Sequence, residues 1–246
     1  MSKQMKVLNL GCGHKVSAHP DVINIDWSIY LRMRSSRLMS LLAPLLLSGE
    51  RRIRFDRLPS NIMPHDLSGG IPFPDNSADV ILHSNMLEHL DRDVAERFLA
   101  EALRALKPGG IHRIVVPDLE DACAAYIAHI AACDSNPQAQ AQHEDYIARV
   151  IEQSVRREAA GTRLQPPLRR FIENALLGDA RRRGETHQWM YDRISLAVLL
   201  RRLGYRNVRL MRYDTSDISF WPQYGLDTNA DGSEYAPGSL YMEASK

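Results

Sequence analysis

The chain has only three cysteines, at positions 12, 123 and 133, and their spacing fits neither a disulfide framework nor a set of metal ligands. That scarcity points to a reducing, cytoplasmic setting, and no ligand spacing asks for a metal. Long apolar runs are also missing. The longest, Leu38 to Leu47, is about half of the roughly 20 residues a membrane-spanning helix needs, and Pro44 interrupts it. The first strand is expected to open by Lys6, leaving no room for a signal peptide. Neither sign of charge is in surplus, with 31 Lys and Arg against 30 Asp and Glu, and aromatics make up only 7%. Such a balance disfavours nucleic acid and anionic membranes as partners. Internal repeats and low-complexity tracts are absent.

What is present is enough apolar material for a core: 44% of 246 residues, read as a single domain over 1–246. The chain is organised around Lys6-Val7-Leu8-Asn9-Leu10-Gly11-Cys12-Gly13-His14. An apolar run that ends in two glycines spaced one apart reads as a strand entering a tight turn. Glycine allows positive φ there and lets a ligand approach the main chain without meeting a Cβ. In open α/β sheets, ligands sit beyond the carboxyl ends of such strands.

Further strands are expected at 21–26, 61–67, 78–84 and 111–116, then at 207–213 and 239–243. Pro64 argues that the third strand lies at a sheet edge. Only thirteen positions separate Gly13 from Asp26, so a helix between the first two strands must be short or absent. Residues 28–47 read as helix packed on the sheet, with a flap or membrane-surface contact as the sharper alternative. Apolar positions from Val94 to Leu106 predict a helix stopped by Pro108-Gly109-Gly110, and 192–203 predict another ending at Gly204. No strand is evident over 119–185. Stripes at Leu119, Cys123, Tyr126, Ile127 and Ile130, at Tyr146, Ile147, Val150, Ile151 and Val155, and at Leu168, Phe171, Ile172, Ala175 and Leu176 suggest a helical insertion or lid. Most of its arginines, among them Arg156, Arg169 and Arg181, read as a solvated face.

Alternating strands and helices predict a mostly parallel sheet with its ligand at the crest. Asp26 follows the second strand, Asp66 the third, and Ser84-Asn85 the fourth. A carboxylate after strand two can accept both ribose hydroxyls; one after strand three can accept an adenine amine, with Leu67 packed on the ring. A dinucleotide would want a third glycine where Val16 stands and a helix N-terminus aimed at pyrophosphate. A phosphate-free adenosine cofactor fits better, and a cationic sulfonium would tolerate the nearby carboxylates. S-adenosylmethionine has that chemistry.

The motifs Leu8-Asn9-Leu10-Gly11-Cys12-Gly13, Ile25-Asp26, His65-Asp66-Leu67, Ile71-Pro72-Phe73-Pro74-Asp75, Leu87-Glu88-His89-Leu90 and Leu106-Lys107-Pro108-Gly109-Gly110 occur in this order. In them the chain resembles a class I S-adenosylmethionine-dependent methyltransferase of the methyltransferase type 11 group. The resemblance implies a Rossmann-like, seven-stranded α/β sheet in the order 3-2-1-4-5-7-6, with the last strand antiparallel. It implies Gly11 and Gly13 beside the methionine moiety, Asp26 on the ribose, Asp66 and Leu67 at adenine, and Ser84 and Asn85 flanking the cofactor. Asn9 stands where an acid is common, and Lys15 where a glycine is common.

Methyl transfer depends on positioning two reactants in line, and a hydroxyl acceptor gains from a nearby base. His89 holds the family position for that base, and His187 opens the C-terminal segment with Trp189 and Tyr191. Cys12 reads as a small residue suited to the turn rather than as a nucleophile. The function expected is methyl transfer to a small molecule, with a sugar or glycan hydroxyl preferred and a lipophilic acceptor as the other choice. A catalytically inactive cofactor-fold protein acting through its helical insertion is the alternative. The absence of an Asn-Pro-Pro-Tyr/Phe pattern after strand four speaks against a nucleic-acid methyltransferase.

Overall fold

The computed structural model describes residues 5–47, 49–155 and 186–246. Strand β1 (Val7–Leu10) is buried at every position and sits at the centre of a seven-stranded sheet ordered β3-β2-β1-β4-β5-β7-β6. Its neighbours β2 (Val22–Asp26) and β4 (Ala78–Ser84) pair with it in parallel. Strand β3 (Ile62–Pro64) forms one edge, as the ring of Pro64 requires of a residue without an N–H. Strand β7 (Ser239–Ser245) runs antiparallel between β5 (Leu106–Pro117) and β6 (Arg206–Met211). Continuous burial along β1 and most of β4 reflects a parallel sheet covered on both faces.

No helix lies between β1 and β2. Side-chain amides hold the connection instead: Asn9 Nδ2 donates to Asn24 Oδ1 (3.0 Å) and to the Lys15 carbonyl (2.9 Å). Asn24 in turn accepts from the Ser17 N–H and donates to the Ser17 carbonyl. Asn9, Ser17 and Asn24 are buried. At position 9 an amide therefore links two strands and a loop, which a carboxylate could not do as donor.

Helices α1 (Ile29–Ser35), α2 (Arg37–Leu46) and α3 (Glu50–Asp56) follow β2. Helix α2 continues through Pro44, and its outer face leaves Leu41 77% exposed, so residues 28–47 are less fully packed than a helix laid on the sheet. Helix α4 (Arg92–Ala105) buries Ala95, Phe98, Leu99 and Ala102 against the sheet. Strand β5 begins at Leu106, five residues before the expected start. The Pro108-Gly109-Gly110 turn is absorbed as a register shift opposite Ala78–Val80. Gly110 is required there, since a Cβ would stand 2.9 Å from the Lys107 carbonyl and 3.0 Å from that of Asp79.

After β5 come α5 (Leu119–Ser135), α6 (Pro137–Gln140) and α7 (His143–Val155). The inward face of α5 is not the expected stripe: Ile127 is 66% exposed and Ile130 is exposed too, while Ala122 and His129 are buried. The expected stripe at 168–176 and the arginines at 156, 157, 169, 170 and 181–183 lie outside the described residues. Helix α8 (Arg193–Arg202) opens with a capping box, Asp192 accepting from the Ser195 N–H while the Ser195 hydroxyl accepts from that of Asp192. Among the described residues no helix is long and apolar enough to cross a membrane.

Candidate active site at the crest of the sheet

The carboxyl ends of β1, β2 and β4 meet at one crest. Gly11 and Gly13 both adopt positive φ (+61° and +51°), folding the chain back as it leaves β1. A Cβ on Gly11 would stand 2.4 Å from Met86 Sδ, so the turn is tight on its β4 side. The Gly13 N–H donates to Asp26 Oδ2 at 2.7 Å, and the Cys12 N–H to the Ile25 carbonyl at 3.1 Å. These bonds hold the glycine turn against the end of β2. Burial pushes the Cys12 thiol up to about 12, with Asp26 adding to the shift, which fits packing rather than nucleophilic chemistry.

Asp26 pairs in register with Pro64, bringing Asp66 and Leu67 to the neighbouring strand end. Asp66 is exposed and caps a short 3₁₀ turn through the Ser68 N–H (2.9 Å), and the Ser68 hydroxyl, then its N–H, hold the carboxyl below the usual range. Leu67 is half-buried against the main core. Ser84 closes β4, and Asn85 takes a positive φ of 49° while its N–H donates to the Val115 carbonyl. The sequence-predicted set thus falls along one edge, in the order Asp66, Asp26, the glycine turn and Asn85.

Asn85 also lines a cavity of about 300 Å³ that opens beyond β4 and β5. Its ionisable wall consists of Glu88, His89, Asp118, Arg149 and His187. Another cavity, about 260 Å³, lies at the opposite end of the sheet beside Ile111 and Ser245, away from the crest. His89 and His187, nearly a hundred residues apart in sequence, come together with ring centroids 4.8 Å apart. The Glu88 carbonyl brings them there by accepting from the Gln188 N–H (2.7 Å) and the Trp189 N–H (3.3 Å). His89 Nδ1 lies 3.3 Å from the Thr186 carbonyl and Nε2 lies 3.8 Å from Glu88 Oε1.

Glu88 is 1% exposed, and burial pushes its carboxyl up to about 8. Burial also pushes His89 down, against an opposing pull from the Thr186 carbonyl. The two groups therefore face each other close to neutrality rather than as an ion pair. Asp118, capping α5, is likewise raised by burial. Neither Glu88 nor Asp118 was expected as a site residue. Glu88 sits between Leu87 and His89 in a short 3₁₀ turn, and the chain returns to it at Gln188 and Trp189, whose N–H groups donate to its carbonyl. Pro237 and Gly238, which the sequence reading passed over, line another part of the cavity, and the Gly238 carbonyl accepts from the Asp118 N–H at 3.1 Å.

Among the described residues, two groups of potential metal ligands emerge that linear spacing did not show. Glu88, His89 and His187 form one, and His129, Cys133 and His143, between α5 and α7, form the other. In each, the ligand atoms lie within 4.8 Å of one another.

A family model described as a methyltransferase domain matches residues 45–114, the stretch from the end of α2 into β5. It includes Asp66, Leu67, Ser84, Asn85 and His89; the glycine turn and Asp26 precede it. No curated protein matches the chain. Among solved structures, a SAM-dependent methyltransferase from Archaeoglobus fulgidus is 14% identical over 98% of this chain and 86% of its own, with a TM-score of 0.40. One from Methanosarcina mazei is 16% identical over 99% and 93%, with a TM-score of 0.44. PigF with SAH is 15% identical over 98% of this chain, which spans 50% of PigF, with a TM-score of 0.43. The matched segment is that of a methyltransferase domain, and the strand order with its antiparallel β7 is the Rossmann-like methyltransferase order that the sequence resemblance implied.

Proposed function

We propose that the chain methylates a hydroxyl of a small polar molecule, a sugar or glycan by preference, in the cavity beside Asn85. The carrying observation is the cavity's wall, where five ionisable side chains face a space of about 300 Å³. A polyhydroxylated acceptor can satisfy such groups, whereas a lipophilic one would leave them unpaired.

The crest fits the cofactor in three respects. The glycine turn offers main chain bare of Cβ atoms, and Asp26 keeps Oδ1 without a hydrogen bond from the described residues, ready for ribose hydroxyls. Asp66 and half-buried Leu67 stand at the next strand end for adenine. With no helix behind the turn, nothing is built for a pyrophosphate. When bound, S-adenosylmethionine supplies a methyl group on a positive sulfur, which keeps the electron pair of the breaking C–S bond as the acceptor oxygen bonds to carbon. Ser84 and Asn85 border the cofactor on one side, and Asn85 borders the acceptor on the other. The acceptor is held in line between crest and cavity, and its proton is taken up on the wall where His89 and His187 stand. Three free cysteines support a cytoplasmic setting for this chemistry.

The test is transfer of labelled methyl from S-adenosylmethionine to a panel of glycans and nucleotide-linked sugars, beside a panel of lipophilic phenols. Label on sugar hydroxyls supports the proposal; label on phenols alone overturns the acceptor preference.

A further inference from the structure

The Glu88 turn poses a problem that acid–base chemistry alone leaves open. Both carboxylate oxygens of Glu88 are buried and lack a hydrogen-bond partner. An uncompensated buried carboxylate is costly. Its neighbour offers no donor. With the Thr186 carbonyl beside Nδ1, that nitrogen carries the hydrogen, leaving the lone pair of Nε2 turned toward Glu88 Oε1. The separation of 3.8 Å is too long for a hydrogen bond. Once Glu88 gives up its proton, two electron-rich atoms face each other across a gap that no hydrogen bond spans.

That gap suits a cation. Ligand bonds of about 2.0–2.2 Å to nitrogen and oxygen allow two ligands of one ion to stand up to roughly 4 Å apart. His187 supplies a third donor, its ligand atom within 4.8 Å of those of Glu88 and His89. The Nδ1 contact to a backbone carbonyl is the arrangement by which a ligating histidine is commonly oriented. The Gln188 and Trp189 N–H bonds to the Glu88 carbonyl tie the two sequence segments together, so the three donors are held by main chain as well as by packing.

We propose that Glu88, His89 and His187 bind a first-row divalent transition ion, such as Zn²⁺ or Mn²⁺, on the wall of the acceptor cavity. Two imidazoles and one carboxylate favour these ions over Mg²⁺ and Ca²⁺, which prefer all-oxygen surroundings. All three ligands line the cavity, so the remaining coordination positions face it. A hydroxyl bound there is acidified by the ion. His89 and His187 then serve as ligands, and Asp118 on the same wall is the carboxylate that receives the proton. This role in the reaction rests on the cavity being the acceptor site; ion binding does not.

The test uses the whole chain carrying Cys133→Ser, which disables the separate cluster at His129 and His143. After treatment with a chelator, it is titrated by calorimetry with ZnCl₂, MnCl₂ and MgCl₂, and separately with S-adenosylmethionine. The expected result is one Zn²⁺ or Mn²⁺ per chain and little Mg²⁺. Glu88→Gln and His187→Gln should each weaken the ion by roughly a hundredfold or more, with S-adenosylmethionine binding unchanged as evidence of folding. Absence of ion uptake, preference for Mg²⁺, or uptake indifferent to both substitutions overturns the site. Ion uptake that follows both substitutions in a chain blind to S-adenosylmethionine would support the ion site and contradict the methyltransferase reading instead.

Discussion

Gly11 is the residue at which the crest has least freedom. It combines a φ of +61° with a neighbour, Met86 Sδ, 2.4 Å from where a Cβ would stand. Gly13 has the same handedness but open space around it. The left-handed conformation alone costs a side-chain-bearing residue roughly 1–2 kcal/mol. Gly13→Ala should lose about that much in urea denaturation, and Gly11→Ala about 1 kcal/mol more as Met86 is displaced. A larger loss at Gly13 would contradict the account. His83 gives a second prediction at this scale. It is fully buried on β4, neither ring nitrogen has a hydrogen bond, and burial pushes its imidazole down to about 3. Below pH 6.5 the unfolded chain gains a proton that the folded chain refuses. The contribution to stability is therefore complete above that value and is lost as pH falls from it toward 3, by up to about 1.4 kcal/mol per pH unit. Between about pH 7.5 and 5.5 the drop in urea midpoint should shrink in His83→Leu; an unchanged drop would reject this origin. Residues of these two kinds were unequally readable. Gly11, Gly13 and Asp26 announce themselves because turn chemistry is local, whereas Glu88 becomes a site residue only through segments a hundred positions away.

At the scale of elements, the strands could be read because each is an apolar run closed by a turn, whereas their order came from the family resemblance and not from the residues alone. The errors lie where tertiary contacts override local signals. Strand β5 runs through a Pro-Gly-Gly sequence by taking up a register shift, and α5 presents Ala122 and His129 inward in place of its isoleucines. Arg113 shows the same limit. Its strand was expected, but not its buried partners: it donates to Asp227 Oδ2 and Glu243 Oε1, both at 2.6 Å, from β5 to β7 and the loop before it. Arg113→Met would leave two carboxylates buried together, and the expected cost is about 3–5 kcal/mol. Arg113→Met with Asp227→Asn and Glu243→Gln should recover a substantial part of it, since no unpaired charge remains. A denaturation midpoint for the triple variant no higher than for the single one would contradict this view of the triad.

For the whole molecule, the claim is that two half-sites share one crest. The proposed function assigns residues at the ends of β1, β2 and β3 to the cofactor and those beyond β4 and β5 to the acceptor, with Asn85 lining the cavity between them. The division follows from the sheet order, which places the turn after β1 beside the end of β4. The most direct measurement is a calorimetric titration of the purified chain with S-adenosylmethionine, with Asp26→Ala in parallel. The account predicts a single saturable event in the unsubstituted chain that falls by at least about tenfold in the variant, since a hydrogen bond to a charged group contributes about 1.5–3 kcal/mol. A folded chain that fails to bind, or a variant that binds as well as its parent, would contradict it.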